Sequence, residues 1–129
     1  MRIRKRLLVA VLACLAIFLL VIAYWTVLPR QGTVEIPGQG IYTGQLKGNT
    51  FHGYGSYVSH AVGGVSYEGE WRDGVFHGQG TMTFANGATL SGEFKDGEPH
   101  GTMTMTSPEG NVQAVEYEDG SPTNGKESE

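Results

Sequence analysis

The chain has 129 residues, nine Lys and Arg, thirteen Asp and Glu, and a formal net charge of −4. Five of the nine bases fall in residues 1–30, so residues 31–129 set four bases against all thirteen acids, a balance of −9. That surface repels phosphate backbones and anionic lipid heads, which excludes nucleic acid as a partner and favours solubility and cationic partners. Cys14 is the only cysteine, so no intrachain disulfide can form, and packing and backbone pairing must hold the rest together.

The first segment is unlike everything after it. Residues 1–6 read Met-Arg-Ile-Arg-Lys-Arg, and Leu7 to Leu28 then contains no charge. Twenty-two helical residues rise roughly 33 Å, enough for a hydrocarbon core of ~30 Å. Residues 7–28 are therefore predicted to form a transmembrane helix, and the membrane is the expected partner of that segment. Tyr24 and Trp25 near its end suit a membrane–water interface, and Pro29 and Arg30 end the run. Arg2, Arg4, Lys5 and Arg6 precede it, which predicts a cytoplasmic N-terminus and an extracytoplasmic repeat region. Two other readings are a signal peptide cleaved after Val21-Ile22-Ala23 and a lipoprotein signal ending at Cys14. The apolar run continues past Cys14, which weighs against the second. Residues 29–37 read as an extended spacer.

Residues 38–119 repeat. Tyr67-Glu-Gly-Glu-Trp-Arg-Asp-Gly-Val-Phe-His-Gly-Gln-Gly80 matches Leu90-Ser-Gly-Glu-Phe-Lys-Asp-Gly-Glu-Pro-His-Gly101, 23 residues later. An earlier copy is Tyr42-Thr-Gly-Gln-Leu-Lys-Gly-Asn-Thr-Phe-His-Gly-Tyr-Gly55. His52, His77 and His100 follow at spacings of 25 and 23, the two extra residues belonging to a longer turn around Ser59–Gly64. A fourth, degenerate copy runs from Glu116 to Pro122 and lacks the His-Gly, as a terminal cap does.

Each copy is predicted to be a β-hairpin. Tyr67, Gly69 and Trp71 alternate with Glu68 and Glu70, the period of a half-buried strand. Arg72-Asp73-Gly74 supplies the turn, and the return strand places Gly78, Gly80, Met82 and Phe84 on one face. Asn86-Gly87 marks a tight connection onward to Leu90, Gly92 and Phe94. Twenty glycines is a high number for strands, but here they alternate with large apolar residues on the same face. A ring can lie over the bare backbone of a neighbouring glycine and make such a strand viable. Residues 120–129 read as a disordered polar tail.

The pattern resembles the MORN (membrane occupation and recognition nexus) repeat family over about residues 38–122. Tyr67-Glu-Gly-Glu-Trp, Asp73-Gly74, His77-Gly-Gln-Gly80 and Asn86-Gly87 carry the resemblance. It implies an all-β fold, an elongated single-layer antiparallel sheet of successive hairpins, here preceded by one N-terminal transmembrane helix. The repeat positions expected to be structural are Gly44, His52, Gly53, Gly55, Gly69, Gly74, His77, Gly78, Gly80, Gly92, Gly97, His100 and Gly101. It also implies scaffolding and membrane or protein attachment, not catalysis. Leu46 in place of an aromatic, Leu90 in place of a Tyr, and Thr102-Met103 where another Gly is due depart from the pattern and predict looser packing toward both ends.

No catalytic, cofactor-binding or metal-binding residues are assigned. Successive hairpins advance about 9.6 Å, whereas zinc ligands each lie ~2.0–2.1 Å from one ion, so His52, His77 and His100 cannot share a metal. Each is expected to pack or hydrogen-bond within its own turn. There is no Gly-x-Ser-x-Gly motif and no thiol outside the apolar run, and Glu68, Glu70 and Glu93 read as solvated strand residues. The aromatic stripe of Tyr42, Tyr57, Tyr67, Trp71, Phe84 and Phe94 covers glycine, binds a partner, or does both. The expected function is a membrane-tethered, non-enzymatic scaffold for another protein. The alternative is an exported glycan- or ligand-binding domain that uses the stripe. Sheet edges offer a route to a homo-oligomer.

Overall fold

The computed structural model describes the backbone of residues 2–123 and the side chains of residues 11–25 and 28–123. One helix, α1 (Arg2–Val27), is followed by nine strands. They are β1 (Arg30–Ile36), β2 (Gly40–Lys47), β3 (Thr50–Ser59), β4 (Ser66–Arg72), β5 (Val75–Thr83), β6 (Thr89–Lys95), β7 (Glu98–Thr106), β8 (Val112–Glu118) and β9 (Ser121–Pro122).

Helix α1 contains neither Gly nor Pro and ends before Pro29, whose ring disfavours helical geometry at the residue ahead of it. Every residue from 11 to 25 is exposed. Among the described residues no helix is long and apolar enough to cross a membrane. The expectation of a span thus rests on the composition of residues 7–28, which reaches beyond the described side chains.

The nine strands form one sheet in sequence order, each antiparallel to the next. The expected single layer of successive hairpins is present. Residues 30–36 are not a spacer: β1 pairs with β2 from Arg30–Leu46 to Ile36–Gly40. The connection is a turn in which Gln39 N–H donates to Ile36 O at 2.9 Å, with Pro37 fixing φ and Gly38 at φ 73°. Residues 31–36 alternate as a strand should, but they lack the aromatic–glycine signature that marked the other copies. At the far end, Ser121 and Pro122 pair with β8, so these two residues are strand and not the disordered tail expected from 120. Residues 124–129 lie outside the described residues.

The turns divide by chemistry. Asp73 and Gly74 sit at φ 49° and 86°, the paired positive values of a type I′ hairpin, and Asp96-Gly97 and Asp119-Gly120 repeat them. Asn86-Gly87 is not such a turn. Gly87 N–H donates to Phe84 O at 2.9 Å and only Gly87 is positive, a wider loop that Asn86 steadies by accepting Ala88 N–H at 3.0 Å.

Two features give the sheet its shape. The first is a seam of six glycines on six consecutive strands, Gly32, Gly44, Gly55, Gly69, Gly80 and Gly92, each directly opposite the next. The second is a bulge in every repeat hairpin. His52-Gly53-Tyr54 lies opposite the single residue Gln45, and His77-Gly78-Gln79 opposite Glu70. In the third repeat Gly101-Thr102-Met103 lies opposite Gly92. The bulge glycines Gly53, Gly78 and Gly101 take φ 63°, 59° and 69°, which explains the His-Gly of the repeat: the residue after the His must be left-handed. Bulges bend and twist a strand, and here one recurs in each of the three repeat hairpins.

The seam is covered by side chains of the same hairpin. A methyl group built on Gly55 would fall within the Tyr42 ring, and one on Gly80 within the Tyr67 ring. In the third repeat Leu90 replaces the tyrosine and Met103 replaces the second glycine. Their exposures are 2% and 0%, so the predicted loosening toward this end does not occur. The third repeat exchanges a ring lying over a bare glycine for two mid-sized side chains across the same strand pair, both fully packed. Gly80→Met alone should therefore unfold or strongly destabilise the sheet, by 1–3 kcal/mol or more as overpacking does. Adding Tyr67→Leu should restore most of the loss. Denaturant melts of the four members of this double-mutant cycle measure the coupling, and a coupling near zero contradicts the exchange.

Candidate functional site

The aromatic face is built by β2 to β7. Tyr42, Tyr67, Trp71 and Phe94 are 0%, 1%, 6% and 0% exposed, and Tyr57 and Phe84 are partly buried against them. These rings are the core. Phe51 stacks on Tyr42 with ring centroids 4.0 Å apart, and Phe76 stacks on Tyr67 at 4.0 Å. Trp71 stands edge-on between the two stacks, 5.1 Å from Tyr42 and 5.3 Å from Tyr67. Phe94 stands the same way beside the second stack, 5.1 Å from Tyr67. Each edge-to-face pair contributes about 0.5–1.5 kcal/mol beyond area burial. Hydrogen bonds fix the polar tips: Tyr42 OH donates to Gln45 O at 2.7 Å, Tyr67 OH to Glu70 O at 3.0 Å, and Trp71 Nε1–H to Gly55 O at 3.1 Å.

Hairpins are also tied at their turns. Gly74 N–H donates to Phe51 O at 3.0 Å and Gly97 N–H to Phe76 O at 2.9 Å, so each turn sits against the bulge of the hairpin before it. Phe51 and Phe76 were not among the expected site residues. Their signal was present, since Phe precedes His-Gly in both the first and second copies. It went unread because the alternating pattern fails across a bulge.

His52 and His77 sit in the bulges and His100 pairs with Glu93 just ahead of its own; all three are partly buried, and their register separates them by a hairpin each. Nδ1 of His52 and of His77 is buried without a hydrogen-bond partner. Asp73, in the next hairpin's turn, lies 3.9 Å from His52 Nδ1, beyond hydrogen-bond distance. Among the described residues no three His, Cys, Asp or Glu side chains gather closely enough to hold a metal ion. Glu70 does more than face solvent, because its Oε1 accepts the N–H of Gln79 at 3.1 Å and so satisfies the bulge backbone.

Two open surfaces among the described residues border the rings and the glycine seam. On the aromatic face a shallow groove of about 380 Å³ is lined by Ile36, Phe51, Tyr57, Trp71, Val75 and Phe76. Val75, 42% exposed, is its most accessible apolar wall. On the polar face a furrow of about 280 Å³ runs over Gly69, Gly80 and Gly92 between Tyr54, Glu68, Gln79 and Ser91. There Tyr54, 56% exposed, donates its hydroxyl to Glu68 at 3.0 Å, and the carboxylate acceptor holds the phenol above its ordinary range.

Two expectations follow. Trp71→Phe keeps a ring where the third repeat already uses Phe94, and should melt close to the parent. Trp71→Ala should lose roughly 3–5 kcal/mol. Equal melts for all three proteins would show that Trp71 does not hold the sheet. The second concerns alkali. Burial, with Glu70 and Tyr54 adding smaller contributions, pushes the Tyr67 hydroxyl from 10.0 up to about 12. A group whose folded value is raised contributes stability that is complete below its unfolded value and is lost as pH rises through the folded one. Stability should hold to about pH 10 and fall toward pH 12. Tyr67→Phe should flatten that fall, which spectrophotometric titration with parallel melts can follow.

The geometry repeats with the sequence, and the comparisons agree. No curated protein matches the chain. The MORN repeat model matches three stretches, residues 42–60, 67–89 and 91–112. These begin in β2, β4 and near the start of β6, one for each bulged hairpin. The sheet is an array of MORN repeats, and the chain belongs to the MORN repeat family.

Proposed function

We propose that the protein is a non-enzymatic scaffold, anchored in a membrane by its N-terminal helix and displaying its MORN repeats outside the cytoplasm to a protein partner. The observation that carries this reading is α1. Its side chains from 11 to 25 are exposed, with Leu15, Ile17, Phe18, Leu19 and Leu20 all more than half uncovered. Nothing in the sheet shelters them. Apolar surface on that scale needs a cover, and the uncharged run Leu7–Leu28 fits a bilayer better than an aqueous surface. The four bases ahead of the run favour an orientation that keeps the N-terminus in the cytoplasm.

The partner reading is supported by the groove around Trp71 and Val75 and by the acidic balance of the array. A partner bringing an apolar anchor with basic residues around it suits both. A glycan ligand has less support on the aromatic face, because Tyr42, Tyr67, Trp71 and Phe94 present almost no free ring surface.

The test has two arms. A reporter active only outside the cytoplasm, fused after Glu129, should be active, and the chain should resist alkaline extraction from membranes. A cytoplasm-only reporter active at the same position would reverse the topology. Separately, Val75→Arg should abolish capture of a partner by the intact chain while leaving its melting curve unchanged. Undiminished capture would move the binding surface off the groove.

A further inference from the structure

We propose that the free edge of β1 is where a second copy of this chain pairs, antiparallel, with Gly32 opposite Gly32. Strand β1 lies at one end of the strand order and, among the described residues, is hydrogen-bonded only to β2. Its seven residues run in unbroken register, without a bulge. It contains no Pro and no Lys, and its charges, Arg30 and Glu35, lie at or next to its ends. Edge strands are templates for pairing, and they are commonly blunted by Pro, Lys, bulges or inward charges. The middle of β1 carries none of these.

The opposite edge differs. Strand β9 pairs with β8 at Tyr117–Pro122 and Glu118–Ser121, and Pro122 has no N–H to offer. The exposed remainder of β8 carries Glu116, and its seam position is Val115, opposite Met103. The glycine seam is closed there by larger side chains. At β1 it is open, because Gly32 is its last glycine, with the Leu46 side chain lying over it.

The seam also selects the occupant. Each of the five strand pairings from β1 to β6 sets glycine against glycine. A strand added to β1 continues the pattern only if it brings a glycine to that position, and a second β1 does so. With Gly32 on a two-fold axis, Gln31 faces Thr33 of the other copy and Arg30 faces Val34. A register that pairs residues of the same parity keeps each copy's aromatic and polar faces aligned. Arg30 can then lay its aliphatic stem along Val34. The pairing itself is formed by β1 alone.

The test uses the full chain in detergent micelles, with Cys14→Ser as background. Sedimentation should give the mass of two chains. Directly opposed side chains have Cβ atoms about 4.5–5.5 Å apart, close to the span of a disulfide. Gln31→Cys with Thr33→Cys should therefore oxidise rapidly to a covalent dimer. Thr33→Cys with Ala114→Cys probes head-to-tail addition of β1 to β8, in the register that sets Gly32 opposite Val115, and should remain uncrosslinked. Thr33→Pro should give a single-chain mass with the near-ultraviolet signal of Trp71 intact. If that variant fails to fold, the crosslinking pair still decides. A single-chain mass for the parent overturns the proposal, as does crosslinking through Ala114 in preference to Gln31.

Discussion

A tyrosine ring laid across two facing glycines is the contact on which this sheet depends. A single antiparallel layer ordinarily needs a second layer to cover its apolar face. Here Tyr42 and Tyr67 lie flat against their own strands, and only glycine leaves room for that. The ring then presents one face to a stacked Phe and one edge to the Trp or Phe of the next hairpin. Backbone, ring and neighbouring ring replace the missing layer. Glycine lowers strand propensity, and the covering ring restores more than the glycine loses.

The bulge completes the arrangement. With two return-strand residues in excess of a regular pairing, the chain brings Phe51 or Phe76 back over the tyrosine and carries the turn of the next hairpin onto the phenylalanine carbonyl. Hairpins are thus linked through the seam, through the rings and through the turns. Each linkage joins near neighbours in sequence, which is how a repeat array propagates order along one dimension.

Much of this was legible in the sequence. Strand positions, the Asp-Gly turns and the covering of glycine by aromatics followed from period-two alternation and the 23-residue repeat. Strand β1 was missed because its partner covers Gly32 with Leu46, so the aromatic that flags a repeat strand is absent. The bulges were missed because the repeat shows only that a Gly follows His, not that it is left-handed. The tight packing of the third repeat was mispredicted because Leu90 and Met103 each look like losses when read singly, and compensate only when the register places them across one strand pair. For the candidate site, the sequence named most of the rings but could not say that they face one another; burial turns them from an exposed stripe into a core with one open groove. Function was read chiefly from the family resemblance and from the apolar run at the N-terminus, because no catalytic constellation is spelled out in the repeats.

The central claim is that the Tyr–Gly–Trp contacts hold neighbouring hairpins as one unit. Hydrogen exchange at the Trp71 indole tests it most directly, because that N–H is donated across a hairpin boundary to Gly55 O. The account predicts that it exchanges as slowly as the backbone amides of β3 and β4, with all of them opening together. An indole proton that exchanges rapidly while those amides stay protected would show that the hairpins are held by backbone pairing alone.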